Sequence, residues 1–142
     1  MKGVSLYPLK RIIVPKGDVL HGIKSIDQGF NGFGEVYFSL IKCGEVKGWK
    51  RHNKMTLNII VLIGSIKFIV YDDRPGSKTC GKFEELILSP EGNYSRLVIS
   101  PGLWMSFVGM RNEYSMLMDL IPEIHDPSEA DCKKIEEIPY KF

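Results

Sequence analysis

The sequence predicts an all-β protein, a sandwich or barrel, and three observations carry that reading. Runs rich in aromatic and β-branched residues recur at roughly ten-residue spacing. Gly, Pro, Asn and Asp punctuate them. No segment places apolar residues at three-to-four spacing over the length a helix needs.

Residues 11–14 form the first short strand, closed by Pro15, Lys16 and Gly17. Residues 35–41, EVYFSLI, form the second. Residues 55–63 read as a more buried strand ending at Gly64, with 65–71 following at once as a hairpin partner. The turn-rich DDRPGSKTCG comes next. Further strands are expected at 83–88, 95–100, 104–108 and 114–121, separated by SPEGN, PG and RNE. The tail, 126–137, holds one short helical segment, because Pro127 suits a first turn.

The 142 residues suit a single domain spanning 1–142 that buries a core without disulfides or metal. A net charge of +2 and scattered basic residues give no argument for a nucleic-acid partner. Three widely spaced cysteines, Cys43, Cys80 and Cys132, form no CxxC pair and read as reduced thiols of a cytoplasmic protein. The N-terminus lacks an apolar stretch of signal-peptide length, and the run 59–63 is too short to cross a bilayer. A soluble protein without a membrane partner is expected.

The chemistry concentrates in GEVKGWKRHNKMTLN, where His52 sits among Lys50, Arg51 and Lys54, with Trp49 close by. A stable transition-metal site takes about three protein ligands. His52 has no His or carboxylate at metal-ligand spacing, so no metal is expected. GFNGFG precedes a strand and lacks the strand-to-helix context of a phosphate loop. No GxSxG elbow is present. Two readings of His52 stay open: a lone acid–base group titrating near neutrality, or an ordinary histidine on a basic strand end. Tyr37 either packs or aims its hydroxyl into a barrel mouth. Trp49 and Trp104 are either core residues or partners for a base or sugar face. Asp72, Asp73 and Arg74 read equally as a charged turn or as part of a pocket.

The order of these pieces resembles the dTDP-4-dehydrorhamnose 3,5-epimerase family along almost the whole chain. Lys16-Gly17 resembles its Arg-Gly entry to the first long strand, and KGWKRH its arginine-glycine-leucine-histidine segment, with His52 on the base. IGSIKFIVYDDR puts Asp72 and Arg74 on its Asp-x-Arg, and PGLWMSF resembles its proline-glycine-phenylalanine segment. MTLN, YDDR, HDP and the closing IPY resemble a short subgroup found with deoxysugar genes. KGWKRHNK is also similar to the 3,4-ketoisomerases, with Lys50 where their first histidine stands.

The resemblance implies a cupin-like jelly-roll β-barrel that needs no cofactor and forms a homodimer through an exchanged N-terminal strand. It implies an epimerase or isomerase of a nucleotide-linked 4-keto-6-deoxysugar, working by proton abstraction α to the ketone in deoxysugar and cell-surface polysaccharide biosynthesis. The catalytic set it suggests is His52, Lys54, Tyr37 and Asp131, the last as the tail carboxylate orienting the base. Substrate binding would fall to Lys16, Trp49, Lys50, Arg51, Asn58, Asp72, Arg74, Trp104 and Met105. Met118 and Asp119 occupy the neighbourhood of the family's late-strand tyrosine, and Met105 that of a pocket histidine. A non-catalytic sugar-nucleotide-binding barrel, a 3,4-ketoisomerase, and a lyase or isomerase on a free sugar or keto acid are the alternatives. An acid facing His52 across the pocket favours an enzyme; walls of Met105 and Met118 favour a binder.

Overall fold

Two strands, each far longer than the spacing of turn signals suggests, organise the architecture of this computed structural model. It describes residues 1–142, the side chain of Asn112 excepted. In chain order the strands are β1 (Val4–Pro8), β2 (Arg11–Ile12), β3 (Val19–Leu20), β4 (Glu35–Lys42) and β5 (Val46–His52). There follow β6 (Leu57–Asp72), β7 (Lys82–Leu88), β8 (Ser95–Ile99), β9 (Trp104–Ile121) and β10 (Ala130–Cys132). The expected tail helix is two single 3₁₀ turns, Pro127–Glu129 and Ile135–Glu137, on either side of β10.

The hairpin expected at 55–71 is instead the continuous strand β6. Gly64 does not turn the chain back. It takes φ +77°, and the pairing register shifts between Val61 and Ile66. A Cβ there would lie 2.3 Å from the Ser115 hydroxyl, so the close crossing of β6 and β9 requires glycine. The shift flips the side-chain parity. Leu57, Ile59 and Val61 face the core before it, and Ile66, Phe68 and Val70 after it. The segments 104–108 and 114–121 likewise merge into β9.

Because β6 and β9 bend together, each serves two antiparallel layers. One layer runs β1-β8-β6-β9-β4, using the first half of β6 and the last half of β9. The other runs β7-β6-β9-β5-β10, using their remaining halves. This is a cupin-like β fold. Among the described residues no ladder joins the free edges, so hydrogen bonds do not close the barrel.

The main core lies between the layers, built from Ile41, Leu57, Ile59, Phe68, Val70, Leu97, Leu117 and Ile121 with their neighbours. A second cluster, Trp49, Ile69, Trp104 and Ile138, sits on the outer face of the second layer. The C-terminal segment covers it, with Tyr140 and Phe142 packing on Trp49. No helix is long and apolar enough to cross a membrane among the described residues.

Candidate active site

Alternation along β5 separates the residues of the KGWKRH segment. Trp49 and Arg51 point outward, whereas Lys50 and His52 line a cavity of about 410 Å³ between the layers. From the other layer, Tyr37 and Ser39 of β4, Leu57 and Ile59 of β6, and Leu117 and Asp119 of β9 line the same cavity. Met105, Phe107 and His125 complete much of its wall.

His52 is buried, and its Nδ1 lies 2.5 Å from Glu129 Oε2. Burial raises the Glu129 carboxyl, but the Lys54 and Met55 backbone N–H groups and His52 outweigh it and hold Glu129 below the usual range. An ionised carboxylate only accepts hydrogen bonds, so Nδ1 carries the proton and Nε2 keeps its lone pair. Burial is the largest influence on His52 and lowers its pKa. The Lys50 and His125 charges push the same way against Glu129, leaving the imidazole below its ordinary value. A neutral, oriented base results.

Two further polar residues line the same cavity. The Tyr37 hydroxyl and Asp119 Oδ1 are both buried and accept or donate no hydrogen bond among the described residues. Tyr37 and Asp119 are register partners on β4 and β9. Burial raises the Tyr37 pKa, with the Glu35 and Asp119 charges adding to it. Burial pushes Asp119 up to about 7, and the Asn58 backbone and Lys50 only partly offset it. His125 packs edge-on against Tyr37, ring centroids 6.0 Å apart.

Of the residues the sequence singled out, the cavity gathers His52, Tyr37, Lys50 and Met105. The carboxylate on His52 is Glu129, not Asp131. Asp131 is register partner to Arg51 and accepts its guanidinium at 2.8 Å. The side chain of Lys54 is exposed, and only its backbone N–H touches Glu129. Trp49 and Trp104 belong to the outer cluster, and Arg51 lies over the Trp104 ring at 4.5 Å. Asn58 faces outward, where its amide donates to the Gly29 carbonyl and its Oδ1 accepts from Arg96. Asp72 and Arg74 hold each other through two oxygens, with Ser77 and Thr79 adding hydroxyl donors. That pairing keeps Asp72 well below the usual carboxylate range and leaves Arg74 beside Lys2, away from His52. Lys16 is exposed in the turn between β2 and β3.

Glu129 and His125 were missed, and Asp119 was noted only as a neighbour of the position of the family's late-strand tyrosine. Asp119 left a signal, since it interrupts the inward series Leu117, Asp119, Ile121 with a carboxylate. Met118, on the alternate position, faces away from the cavity. Among the described residues, no three His, Cys, Asp or Glu side chains gather as a metal ion would need.

No family model and no curated protein sequence matches the chain. Solved structures do. A dTDP sugar isomerase from Desulfovibrio desulfuricans is 31% identical over 99% of this chain and 90% of its own, with a TM-score of 0.94. A 3'-monoepimerase from Streptomyces bikiniensis, complexed with dTDP, is 16% identical, covers 99% of this chain and 75% of its own, and has a TM-score of 0.87. A dTDP-6-deoxy-D-glucose-3,5-epimerase from Legionella pneumophila, complexed with dTDP-4-keto-L-rhamnose, is 18% identical with a TM-score of 0.82, covering 95% and 74%. The last two share the fold. The first carries sequence identity over nearly the whole chain. This chain belongs to the dTDP-4-dehydrorhamnose 3,5-epimerase-like family of nucleotide-sugar epimerases and isomerases.

Proposed function

We propose that the chain epimerises a dTDP-linked 4-keto-6-deoxysugar, with His52 as the base. The observation that carries this reading is the buried His52–Glu129 pair, which leaves one basic ring nitrogen for a cavity that also holds Lys50. In this mechanism Nε2 takes the proton α to the ketone, and the electron pair moves to the ketone oxygen. The Lys50 ammonium and the Tyr37 hydroxyl serve the resulting enolate, and the raised pKa of Tyr37 keeps it a donor. A positioned base contributes about 10²–10⁴-fold. The dTDP and keto-sugar ligands of related structures support the substrate class. Asp119 on the cavity wall favours turnover over mere binding.

The test follows the α-proton of a dTDP-4-keto-6-deoxyhexose by NMR in D₂O. Exchange by the parent and its loss in a folded His52→Asn protein, with dTDP affinity retained, is the expected result. Exchange persisting in His52→Asn overturns it. Recovery of a 3-keto product would replace epimerisation with 3,4-ketoisomerisation.

We also propose a cytoplasmic homodimer. Ile13, Val14 and Val19 are exposed around the β2–β3 ribbon, and Phe38 and Leu40 on the outer face of β4. Such apolar surface is suited to a second copy of the chain. The strand nearest the N-terminus, β1, pairs with β8 of its own chain.

A further inference from the structure

Resting on the assignment of His52 as base, we propose that Asp119 is the acid that returns a proton to carbon from the side of the cavity opposite His52. Strand parity makes the case first. Asp119 occupies an inward position between Leu117 and Ile121, where an apolar residue would fill the core at no cost. A carboxyl there is expensive unless something uses it. Its Oδ1 is buried without a hydrogen-bond partner, and the Asn58 backbone offsets the burial of the carboxyl only in part.

Topology places it across from the base. His52 comes from β5 in one layer, and Asp119 from the half of β9 that belongs to the other, between Tyr37 on β4 and Ile59 on β6. The groups that share the cavity with Asp119 are Tyr37 from β4, Lys50 and His52 from β5, and His125 beyond β9, with the Asn58 backbone from β6 against it and Glu35 acting on Tyr37. Glu35 also accepts the His125 backbone N–H at 2.9 Å. Burial dominates this set and favours the protonated carboxyl that a donor requires.

The step balances within the chain and solvent. The α C–H bond breaks, its proton goes to His52 Nε2, and its electron pair forms the enolate. The carbonyl then re-forms as the enolate carbon takes the Asp119 proton, and the O–H electrons remain on the carboxylate. His52 releases its proton to water and Asp119 regains one from water. Removal on one side and return on the other inverts the carbon, which in D₂O carries one deuterium.

The experiment compares the parent with His52→Asn, Asp119→Asn and Tyr37→Phe on a dTDP-4-keto-6-deoxyhexose, measuring α-proton exchange and inverted product separately. Asp119→Asn is expected to keep exchange within a few-fold and lose inversion by about 10²-fold or more, because His52 still removes and returns the proton on its own side. Tyr37→Phe should slow exchange and inversion together. Inversion at the parent rate in Asp119→Asn overturns the proposal, as does equal loss of both activities in a folded variant. Inversion lost only in Tyr37→Phe makes Tyr37 the acid. If Asp119→Asn does not fold, Asp119→Leu, matched to its apolar neighbours, carries the same test. A parent that exchanges but never inverts removes the role of Asp119 and leaves that of His52 intact. A parent that does neither removes both.

Discussion

Glu129 holds His52 from the edge of the barrel: Oε2 takes the imidazole Nδ1 at 2.5 Å, while Oε1 takes the Lys54 N–H at 2.7 Å and the Met55 N–H at 3.0 Å. One carboxylate therefore ties the imidazole to the turn that follows it. The pairing of β10 with β5, Ala130 opposite His52, delivers that carboxylate to the ring.

Replacing the carboxylate by an amide, Glu129→Gln, removes the charge that supports imidazolium. His52 lies below its ordinary pKa already, and without Glu129 it falls further. The neutral base then persists to lower pH, so the acidic limb of the kcat profile moves to lower pH. The weaker, less firmly oriented base should lower kcat about 10–100-fold with KM little changed. Unchanged kcat and pH profile in Glu129→Gln would show that the pair is structural only.

Lys50 is the cation that faces the cavity from β5 beside His52. Lys50→Met keeps the length of the side chain and deletes its charge. It should lower kcat/KM by about 10²-fold, the scale of one lost donor to a developing oxyanion. The measurement is steady-state kinetics, with melting to confirm folding. Equal activity would move enolate stabilisation elsewhere, to the Tyr37 hydroxyl first.

These two side chains also mark how far the sequence could be read. The strand content and the shared face of Lys50 and His52 were legible, because local composition and alternation decide them. Glu129 was not. Asp131 lies two positions away in the tail and is as good a carboxylate on paper. Only the pairing of β10 with β5, a contact between distant segments, sends Asp131 to Arg51 and Glu129 to His52. The fate of Trp49 and Trp104 was hidden for the same reason, since the C-terminal segment that covers them is remote in sequence. Gly64 misled because a glycine ending an apolar run signals a turn. Here it marks a register shift, and the strand continues through it.

The β2–β3 ribbon supplies a test of assembly. Ile13 is 75% exposed and Val19 51%, in a segment held to the body by Arg11, which donates to the Pro90 carbonyl. A dimer by light scattering at micromolar concentration is expected for the parent, and a monomer for Ile13→Lys combined with Val19→Lys. A monomeric parent would show that this apolar surface has another use.

The final prediction concerns stability, and it follows from Asp119 whatever its part in catalysis. Its folded pKa is raised from the ordinary carboxyl value of 3.8 to about 7, chiefly by burial. Between those two values the unfolded chain is ionised at this position and the folded chain keeps its proton. The folded state then binds more protons, so unfolding free energy falls as pH rises, by up to about 1.4 kcal/mol per pH unit. The contribution is fully present below about pH 4 and is lost as pH climbs through 7. Asp119→Asn cannot ionise and removes that slope. Urea unfolding of parent and variant at pH 5 and pH 7.5 isolates the effect, because the other titrating groups are common to both. With water screening the outer part of the carboxyl, the variant should lose less stability than the parent over this interval by on the order of 2 kcal/mol. Parallel losses in the two proteins would mean that Asp119 ionises as an ordinary surface carboxylate, and that the barrel wall opposite His52 is wet.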